Sequence, residues 1–266
     1  MVLVHPHHAQ SIQNVIAAFE SDPTVAALLL GGSLAHGFAR PDSDIDISIV
    51  VDAAEYERRR RENRLHYVNH TLCTYPQGYV DGKYVDEGFL RSVAERGSDP
   101  ARYAFDGARV LFSRMNGLEG LLAAIGRYPV EQKGERIERF TAQLLAWRWY
   151  HGEALRQQSD YLRQLALHKL ALFGARIVLA ENELFFPYHK WMLRVLEGAP
   201  RKPPGLLADI QAIVLSPPRD KVEAYCQTLL DFIGVDEAAA NQAWPMRFMT
   251  DTELRWVQGE PSIDDL

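Results

Sequence analysis

Apolar and polar residues along the first half of the chain follow the periods of both strands and helices. Continuous apolar runs at Val25–Leu30 and Ile45–Val51 predict two buried strands. Residues 65–74 alternate between polar and apolar side chains, as a half-buried strand does. The elements predicted in this half are helix 9–21, strands 25–30 and 45–51, helix 53–63, strands 65–74 and 79–85 and helix 87–96. Residues 108–112 are predicted to form a short edge strand or a buried extended segment. This order predicts a small mixed sheet with helices on one face, which is an α+β fold.

The pattern changes near Pro129, where strand signals fade and helical periodicity takes over. Prolines near positions 187, 200–204 and 217–218 break this half into segments. The predicted helices cover residues 130–158, 160–182, 188–197, 205–214, 219–233 and 236–256. The chain is therefore predicted to contain a mixed-sheet domain over residues 1–128 and a helical bundle over residues 129–266.

The segment between the first two predicted strands carries the chemistry. Gly31-Gly32-Ser33 ends the first strand, and Asp44-x-Asp46 opens the second. Because residues i and i+2 of a strand point to the same face, the two aspartates present their carboxylates side by side. Such hard oxygen ligands suit Mg²⁺, which also binds phosphate oxygens. The glycines allow a backbone to approach a phosphate closely, and the serine hydroxyl adds a donor. This combination predicts a site for a nucleoside triphosphate and Mg²⁺.

Gly-Gly-Ser followed after a short loop by Asp-x-Asp resembles the signature of the DNA polymerase β-like nucleotidyltransferases. The form Gly-Gly-Ser-x-Ala-x-Gly with Ser-Asp-x-Asp is similar to the bacterial streptomycin/spectinomycin adenylyltransferases. The resemblance implies a catalytic site in which Asp44 and Asp46 hold two Mg²⁺ ions. It also implies that ATP is the substrate and that Gly32, Ser33 and Ser43 contact it.

The superfamily adds a third acid from a neighbouring strand, and residues 79–87 offer three candidates. Asp86 is favoured, because it follows two β-formers and ends a predicted strand. Asp81 precedes Gly82, and Asp-Gly is a strong turn signal. Glu87 is equally suited to the first turn of the next helix. Asp86 is therefore the predicted third metal ligand and catalytic acid, with Asp81 and Glu87 as alternatives. In the antibiotic-adenylylating relatives this position is usually a glutamate that acts as general base, so the base stays open among Asp86, Glu87 and Glu153.

The second half contributes basic and aromatic residues. Lys169 and Arg176 lie in a helix that is apolar nearly all round, where a cation needs an anionic partner. That partner is either a carboxylate of the bundle or the triphosphate. The resemblance to the streptomycin adenylyltransferases implies the triphosphate, held by Arg176 and Lys190. The aromatic segment 147–153 is a candidate for framing the acceptor, with packing in the core as the alternative.

Composition narrows the classes of partner. The chain has 266 residues, 47% apolar and 24% charged, with a net charge of −6. The acidic balance disfavours a nucleic-acid substrate, and the four arginines at 58–61 are interpreted as a solvated helix face. No apolar run approaches the length of a membrane span, and the first residues lack the pattern of a secretory signal. With two cysteines far apart in sequence, these features predict a cytoplasmic protein with reduced thiols. The histidines at positions 5, 7 and 8 are interpreted as a frayed tail in preference to a metal site.

The sequence thus predicts a Mg²⁺-dependent nucleotidyltransferase that moves AMP from ATP to a hydroxyl of a small molecule. The resemblance suggests an aminoglycoside-like antibiotic as the acceptor. Two alternatives stay open: an adenylyltransferase that modifies a protein, and a nucleotide-binding module without catalysis. The sequence leaves the oligomeric state open.

Overall fold

The computed structural model describes residues 5–259 and 263–264. Its contacts divide the chain into two compact units, residues 1–127 and residues 128–266. Each unit has its own apolar core. The prediction that residues 1–128 form a nucleotidyltransferase domain and residues 129–266 a helical bundle domain stays a prediction.

A five-stranded mixed sheet organises the described part of the first unit. Its strands are β1 (Val25–Leu30), β2 (Ile45–Val51), β3 (His66–Asn69), β4 (Val80–Val85) and β5 (Arg109–Ser113). The spatial order is β3-β4-β2-β1-β5. The strands β2 and β4 pair in parallel, and the other neighbours are antiparallel. The predicted mixed sheet is confirmed, and β5 lies at an edge, which is the first of the two alternatives for residues 108–112.

Helices cover both faces of this sheet, whereas the sequence predicted helices on one face. The helices of the unit are α1 (Pro6–Glu20), α2 (Gly32–His36), α3 (Ala53–Arg61), α4 (Glu87–Arg96), α5 (Asp99–Tyr103) and α6 (Leu118–Ile125). One face packs Leu28 and Leu30 against α1, and the other packs Ala27 and Leu29 against residues of α4 and α6. Both faces of the sheet are covered because β1 is apolar at consecutive positions, so side chains on each of its faces are buried.

Local side-chain hydrogen bonds set several element ends. The Asp52 carboxylate accepts from the Glu55 amide at 2.8 Å and begins α3. The Asn69 side chain accepts from the amides of Thr71 and Leu72 at 2.8 and 2.9 Å, forming a turn that ends β3. The strand predicted over residues 65–74 is therefore shorter than its alternating pattern suggested.

The second unit is helical in its described residues. Its helices are α7 (Lys133–Arg156), α8 (Asp160–Glu181), α9 (Met192–Glu197), α10 (Leu206–Ile213), α11 (Arg219–Ile233), α12 (Glu237–Thr252) and α13 (Arg255–Gln258), with a 3₁₀ turn at Val130–Gln132. The helix α8 is buried along most of its second half, as its apolar sequence predicted. The α+β class, with a mixed sheet followed by helices, is confirmed. Across residues 5–259 and 263–264, none of the helices has the length and apolar character needed to cross a bilayer.

Candidate active site

Three aspartates converge where β2 and β4 lie side by side. In the parallel register Asp46 pairs with Asp81, and Asp44 directly precedes β2. Carboxylate oxygens of Asp44, Asp46 and Asp81 all lie within 4.8 Å of one another, and the three residues are half-buried. The predicted pair of carboxylates is present, and a third from the neighbouring strand completes it.

The structure places Asp81, one of the two alternatives, in this cluster and Asp86 outside it, and the metal-binding and catalytic role predicted for Asp86 stays a prediction. Asp86 lies one residue beyond β4, where its side chain accepts from the Phe89 amide at 2.7 Å and caps α4. Glu87, the other alternative, forms an ion pair with Arg91 on the exposed face of that helix. The capping bond satisfies a helix-end amide, which explains an aspartate at this position without metal chemistry.

Gly82 explains why the sequence did not favour Asp81. Asp-Gly was interpreted as a turn, but both residues lie within β4. A Cβ atom at position 82 would lie 2.8 Å from Cγ1 of Ile47 on the adjacent strand. Glycine is required here by close strand packing, and not by a turn. Asp81 is therefore a strand residue and not part of a hairpin turn, and it shares a sheet face with Asp46.

The Gly-Gly-Ser segment packs directly on Asp46. Gly32 has a φ of +59°, and a Cβ atom there would lie 1.7 Å from Oδ2 of Asp46. The Gly31 amide donates to the Asp46 carbonyl at 2.9 Å. Only glycine combines this left-handed backbone with so close an approach to the carboxylate. The loop and the aspartate therefore form one rigid corner.

Ser33 is buried at the start of α2, only 5% exposed. Its hydroxyl has no hydrogen-bond partner among the described residues. A buried hydroxyl in this state loses hydration without compensation, unless a ligand supplies the partner. Its position suits the phosphate contact predicted for Ser33.

Ser43 has a different environment from the one its predicted role implies. Its Oγ atom accepts from the Arg40 amide at 2.9 Å and closes the turn before Asp44. Its carbonyl accepts from the Tyr75 hydroxyl at 2.6 Å. These bonds favour a structural role for Ser43, and its contact with a nucleotide stays a prediction. One residue before β4, a hydrogen bond to the Asp44 carboxylate raises the pKa of the Tyr79 phenol.

Two residues near the carboxylates were not predicted from the sequence. The His66 ring donates through Nε2 to Oδ1 of Asp81 at 2.7 Å. Lys83 follows Asp81 by two positions in β4 and so shares its face, with Nζ 4.7 Å from the centre of the Phe105 ring. The alternation of the predicted strand 79–85 could have identified Lys83, since it lies two positions after Asp81.

Residues 12–76 match the sequence model of a family described as "nucleotidyltransferase domain". This chain contains a nucleotidyltransferase domain. The matched residues include the Gly-Gly-Ser segment, Asp44 and Asp46, whereas Asp81 lies beyond them. The predicted resemblance to the polymerase β-like nucleotidyltransferases is confirmed by this match. The narrower resemblance to the streptomycin/spectinomycin adenylyltransferases stays a prediction.

Comparisons were also made with solved structures and with curated proteins. The chain is similar in structure to a nucleotidyltransferase-like protein from Exiguobacterium sibiricum, with 12% sequence identity and a TM-score of 0.49. That similarity covers 90% of this chain and 79% of the other. Comparison with curated proteins gives no match.

The donor set of the nucleotidyltransferase domain fits a divalent cation. Three carboxylates within 4.8 Å repel one another unless positive charge lies between them. Carboxylate oxygens are the ligands that Mg²⁺ prefers, and a magnesium site usually keeps positions open for phosphate oxygens. Asp44, Asp46 and Asp81 are therefore the residues that would hold the metal.

Arg176 is enclosed in the second unit. Its side chain is 1% exposed, with the guanidinium carbon 4.4 and 4.5 Å from the ring centres of Phe140 and Phe186. Its Nη1 atom donates to the Asp264 carbonyl at 2.6 Å, and Lys169 forms an ion pair with the Asp264 carboxylate. These contacts favour the structural alternative for both cations. The contact predicted between Arg176 and ATP stays a prediction.

Lys190 lies on an exposed turn, with Nζ 5.2 Å from the centre of the Trp191 ring. Its surroundings impose no structural role comparable to that of Arg176. The predicted contact between Lys190 and a phosphate group therefore stays a proposal, and measured Mg-ATP affinity tests it.

Arg176 and Lys190 are expected to respond differently to replacement. Arg176→Ala should lower the free energy of unfolding by about 2–4 kcal/mol, since it empties a buried site and removes a donor. The ATP affinity of the folded variant should stay unchanged. Lys190→Ala should leave the melting temperature unchanged and, if the lysine binds phosphate, weaken Mg-ATP binding by about 1.5–3 kcal/mol.

Thermal denaturation and calorimetry with Mg-ATP measure both effects. Arg176→Met is the matched control, because it keeps apolar bulk between the two rings and removes only the charge and donors. A folded Arg176→Met protein with strongly reduced ATP affinity would contradict the structural assignment of this residue.

The aromatic segment of α7 borders an open pocket of about 680 Å³ lined by residues of the second unit. Trp149, Glu153 and Trp244 are among the lining residues, and Trp149 is 52% exposed. Glu153 pairs with Arg156, and this hydrogen bond lowers the pKa of the Glu153 carboxyl. A lowered pKa makes Glu153 a weaker base, which counts against it as the general base.

Proposed function

We propose that the chain catalyses Mg²⁺-dependent transfer of AMP from ATP to a hydroxyl of a small molecule. The observation that carries this proposal is the meeting of Asp44, Asp46 and Asp81 beside the Gly-Gly-Ser corner. A triphosphate needs donors for its oxygens and a metal for its charge, and this corner offers groups suited to both.

Each residue of the site has a role in this proposal. Asp44, Asp46 and Asp81 hold the cations, which when bound supply positive charge to the phosphate oxygens and the leaving group. The Ser33 hydroxyl and the Gly32 backbone bind phosphate oxygens. Lys83, on the same face as Asp81, adds a cation that attracts the nucleotide.

The acceptor oxygen attacks the α-phosphorus, the bond to pyrophosphate breaks, and the acceptor loses a proton. Asp86 and Glu87, proposed from the sequence as bases, each have a partner within their own helix, and Glu153 has Arg156. Asp81 is the acid best placed to accept the proton, because it belongs to the cluster itself. Its orientation is supported by the hydrogen bond from His66.

The charge of the protein bears on the acceptor. A net charge of −6 favours a cationic or neutral polar acceptor over an anionic one, since like charges slow approach. An amino-sugar antibiotic has this character. The pocket lined by Trp149 and Glu153 supports a place for such a molecule on the helical unit.

Release of pyrophosphate from ATP tests the proposed function. The wild-type protein should release pyrophosphate only when ATP, Mg²⁺ and an accepting hydroxyl compound are all present, with amino-sugar and lincosamide antibiotics as the first compounds. ATP should also raise the melting temperature more with Mg²⁺ than without it. Binding of Mg-ATP with no release of pyrophosphate from ATP in the presence of any acceptor would favour the non-catalytic module.

A further inference from the structure

The histidine-rich start of the chain is part of the first unit and not a frayed tail. Pro6 begins α1, and His8 is completely buried. The His7 ring contacts the Tyr75 ring at 4.6 Å between centres, and His8 meets Tyr75 edge-on at 5.0 Å. The start of α1 and the segment before β4 therefore form a common aromatic cluster.

This cluster donates to the turn that leads into Asp44. The Tyr75 hydroxyl donates to the Ser43 carbonyl at 2.6 Å, and His8 Nε2 lies 3.2 Å from the same oxygen. His7 Nε2 lies 2.9 Å from the Pro41 carbonyl. Because a carbonyl only accepts, each imidazole must carry its proton on Nε2. The Ser43 carbonyl thus receives two donors from distant parts of the chain.

Two donors on this oxygen restrain the backbone at Asp44. The Ser43 carbonyl and the Asp44 amide belong to one planar peptide unit, so holding the oxygen also holds the Asp44 Cα atom. Asp44 lies one residue before β2, where the sheet's hydrogen bonds do not yet constrain it. The first ladder contact comes at Ile45, whose amide donates to the Tyr79 carbonyl at 3.0 Å.

We propose that His8 and Tyr75 are positioning residues, which hold the Ser43–Asp44 peptide so that the Asp44 carboxylate is preorganised for a divalent cation. This inference rests on the proposed function, because it assumes that Asp44 binds metal. Neither side chain touches the metal or the nucleotide. Ordering a ligand before binding reduces the entropy lost on binding, so the effect falls on metal affinity.

Mn²⁺ binding to the purified full chain, measured by calorimetry without nucleotide, tests the proposal. Tyr75→Phe removes only the hydroxyl and keeps the ring contacts, and His8→Leu removes the imidazole donor. Each change should weaken Mn²⁺ binding about 3- to 10-fold, the effect of one hydrogen bond. His8→Gln, whose amide can donate from the same place as Nε2, should restore most of the affinity.

Asn14→Ala is the matched control, because Asn14 ties α1 to the Leu72 carbonyl at 2.9 Å without contacting Ser43. It should lower the melting temperature but leave the Mn²⁺ affinity of the folded protein unchanged. Tyr75→Phe is isosteric and should fold, so a folding failure of His8→Leu does not remove the test.

The outcomes separate the positioning role of His8 and Tyr75 from the proposed function. Weaker Mn²⁺ binding by Tyr75→Phe but not by Asn14→Ala supports the positioning role. Wild-type-like Mn²⁺ affinity in both Tyr75→Phe and His8→Leu overturns the positioning role and leaves the proposed function standing. Absence of Mn²⁺ binding by the wild type overturns the positioning role, because no preorganised site then exists without nucleotide. An unchanged Mn²⁺ affinity in Asp46→Asn overturns both.

Discussion

Asp46→Asn is expected to reduce nucleotidyl transfer by about 10³-fold or more, because it removes a charge that would hold the metal at the reacting phosphate. Asp46 occupies the centre of the site, paired with Asp81 in register and in contact with the Gly32 backbone. The amide is nearly isosteric, so the Gly-Gly-Ser corner should keep its geometry. Pyrophosphate release at saturating ATP and Mg²⁺ measures the loss.

The fold of Asp46→Asn should be intact and, without metal, at least as stable as the wild type. Three carboxylates within 4.8 Å repel one another, and the substitution relieves part of that repulsion. Asp42→Asn is the matched control, because Asp42 is a highly exposed acid on the preceding turn that pairs with Arg40. Comparable activity in Asp46→Asn and Asp42→Asn would rule out the carboxylate mechanism.

Asp81→Asn and Asp86→Asn are expected to differ by a similar factor. Asp81→Asn should lose about 10³-fold in transfer, since its carboxylate belongs to the cluster. Asp86→Asn should retain activity, because asparagine also caps a helix well. Asp86→Ala should cost about 1 kcal/mol of stability through the lost cap, with activity retained in the folded fraction.

Steady-state kinetics on the two asparagine variants, with thermal denaturation of all three proteins, measures these differences. An inactive Asp86→Asn beside an active Asp81→Asn would reverse the assignment of the third carboxylate. Inactivity in both would mean that the end of β4 and the cap of α4 act together.

The Gly-Gly-Ser corner with Asp44 and Asp46 was predictable because its signal is local. Gly31, Gly32 and Ser33 follow one apolar strand, Asp44 and Asp46 open the next, and strand periodicity puts both carboxylates on one face. The third carboxylate depends on which strand pairs with β2 and in what register, and neither is encoded locally. Asp-Gly usually signals a turn, yet Asp81 and Gly82 lie within β4, whereas Asp86 before a helix has the capping role that its local signal indicates.

Other differences between the sequence predictions and the structure also come from contacts between residues distant in sequence. The helix α6 was not predicted, since Leu118–Ile125 is short and its apolar residues pack against the second face of the sheet. The predicted phosphate role of Arg176 was inferred from resemblance, whereas the rings of Phe140 and Phe186 that enclose it come from other helices and turns. The turn around Ser43 likewise depends on donors distant in sequence.

The parallel pairing of β2 with β4 has a consequence for how the chain folds. Asp46 and Asp81 become neighbours only after the intervening helix and strand have crossed over, so the cluster cannot exist in a partly assembled sheet. Closing that crossover costs chain entropy and brings like charges together at the same step. A cation that binds the finished cluster binds only the native topology, and its binding free energy therefore becomes folding free energy. Magnesium would then drive late assembly of the sheet as well as serving its chemistry.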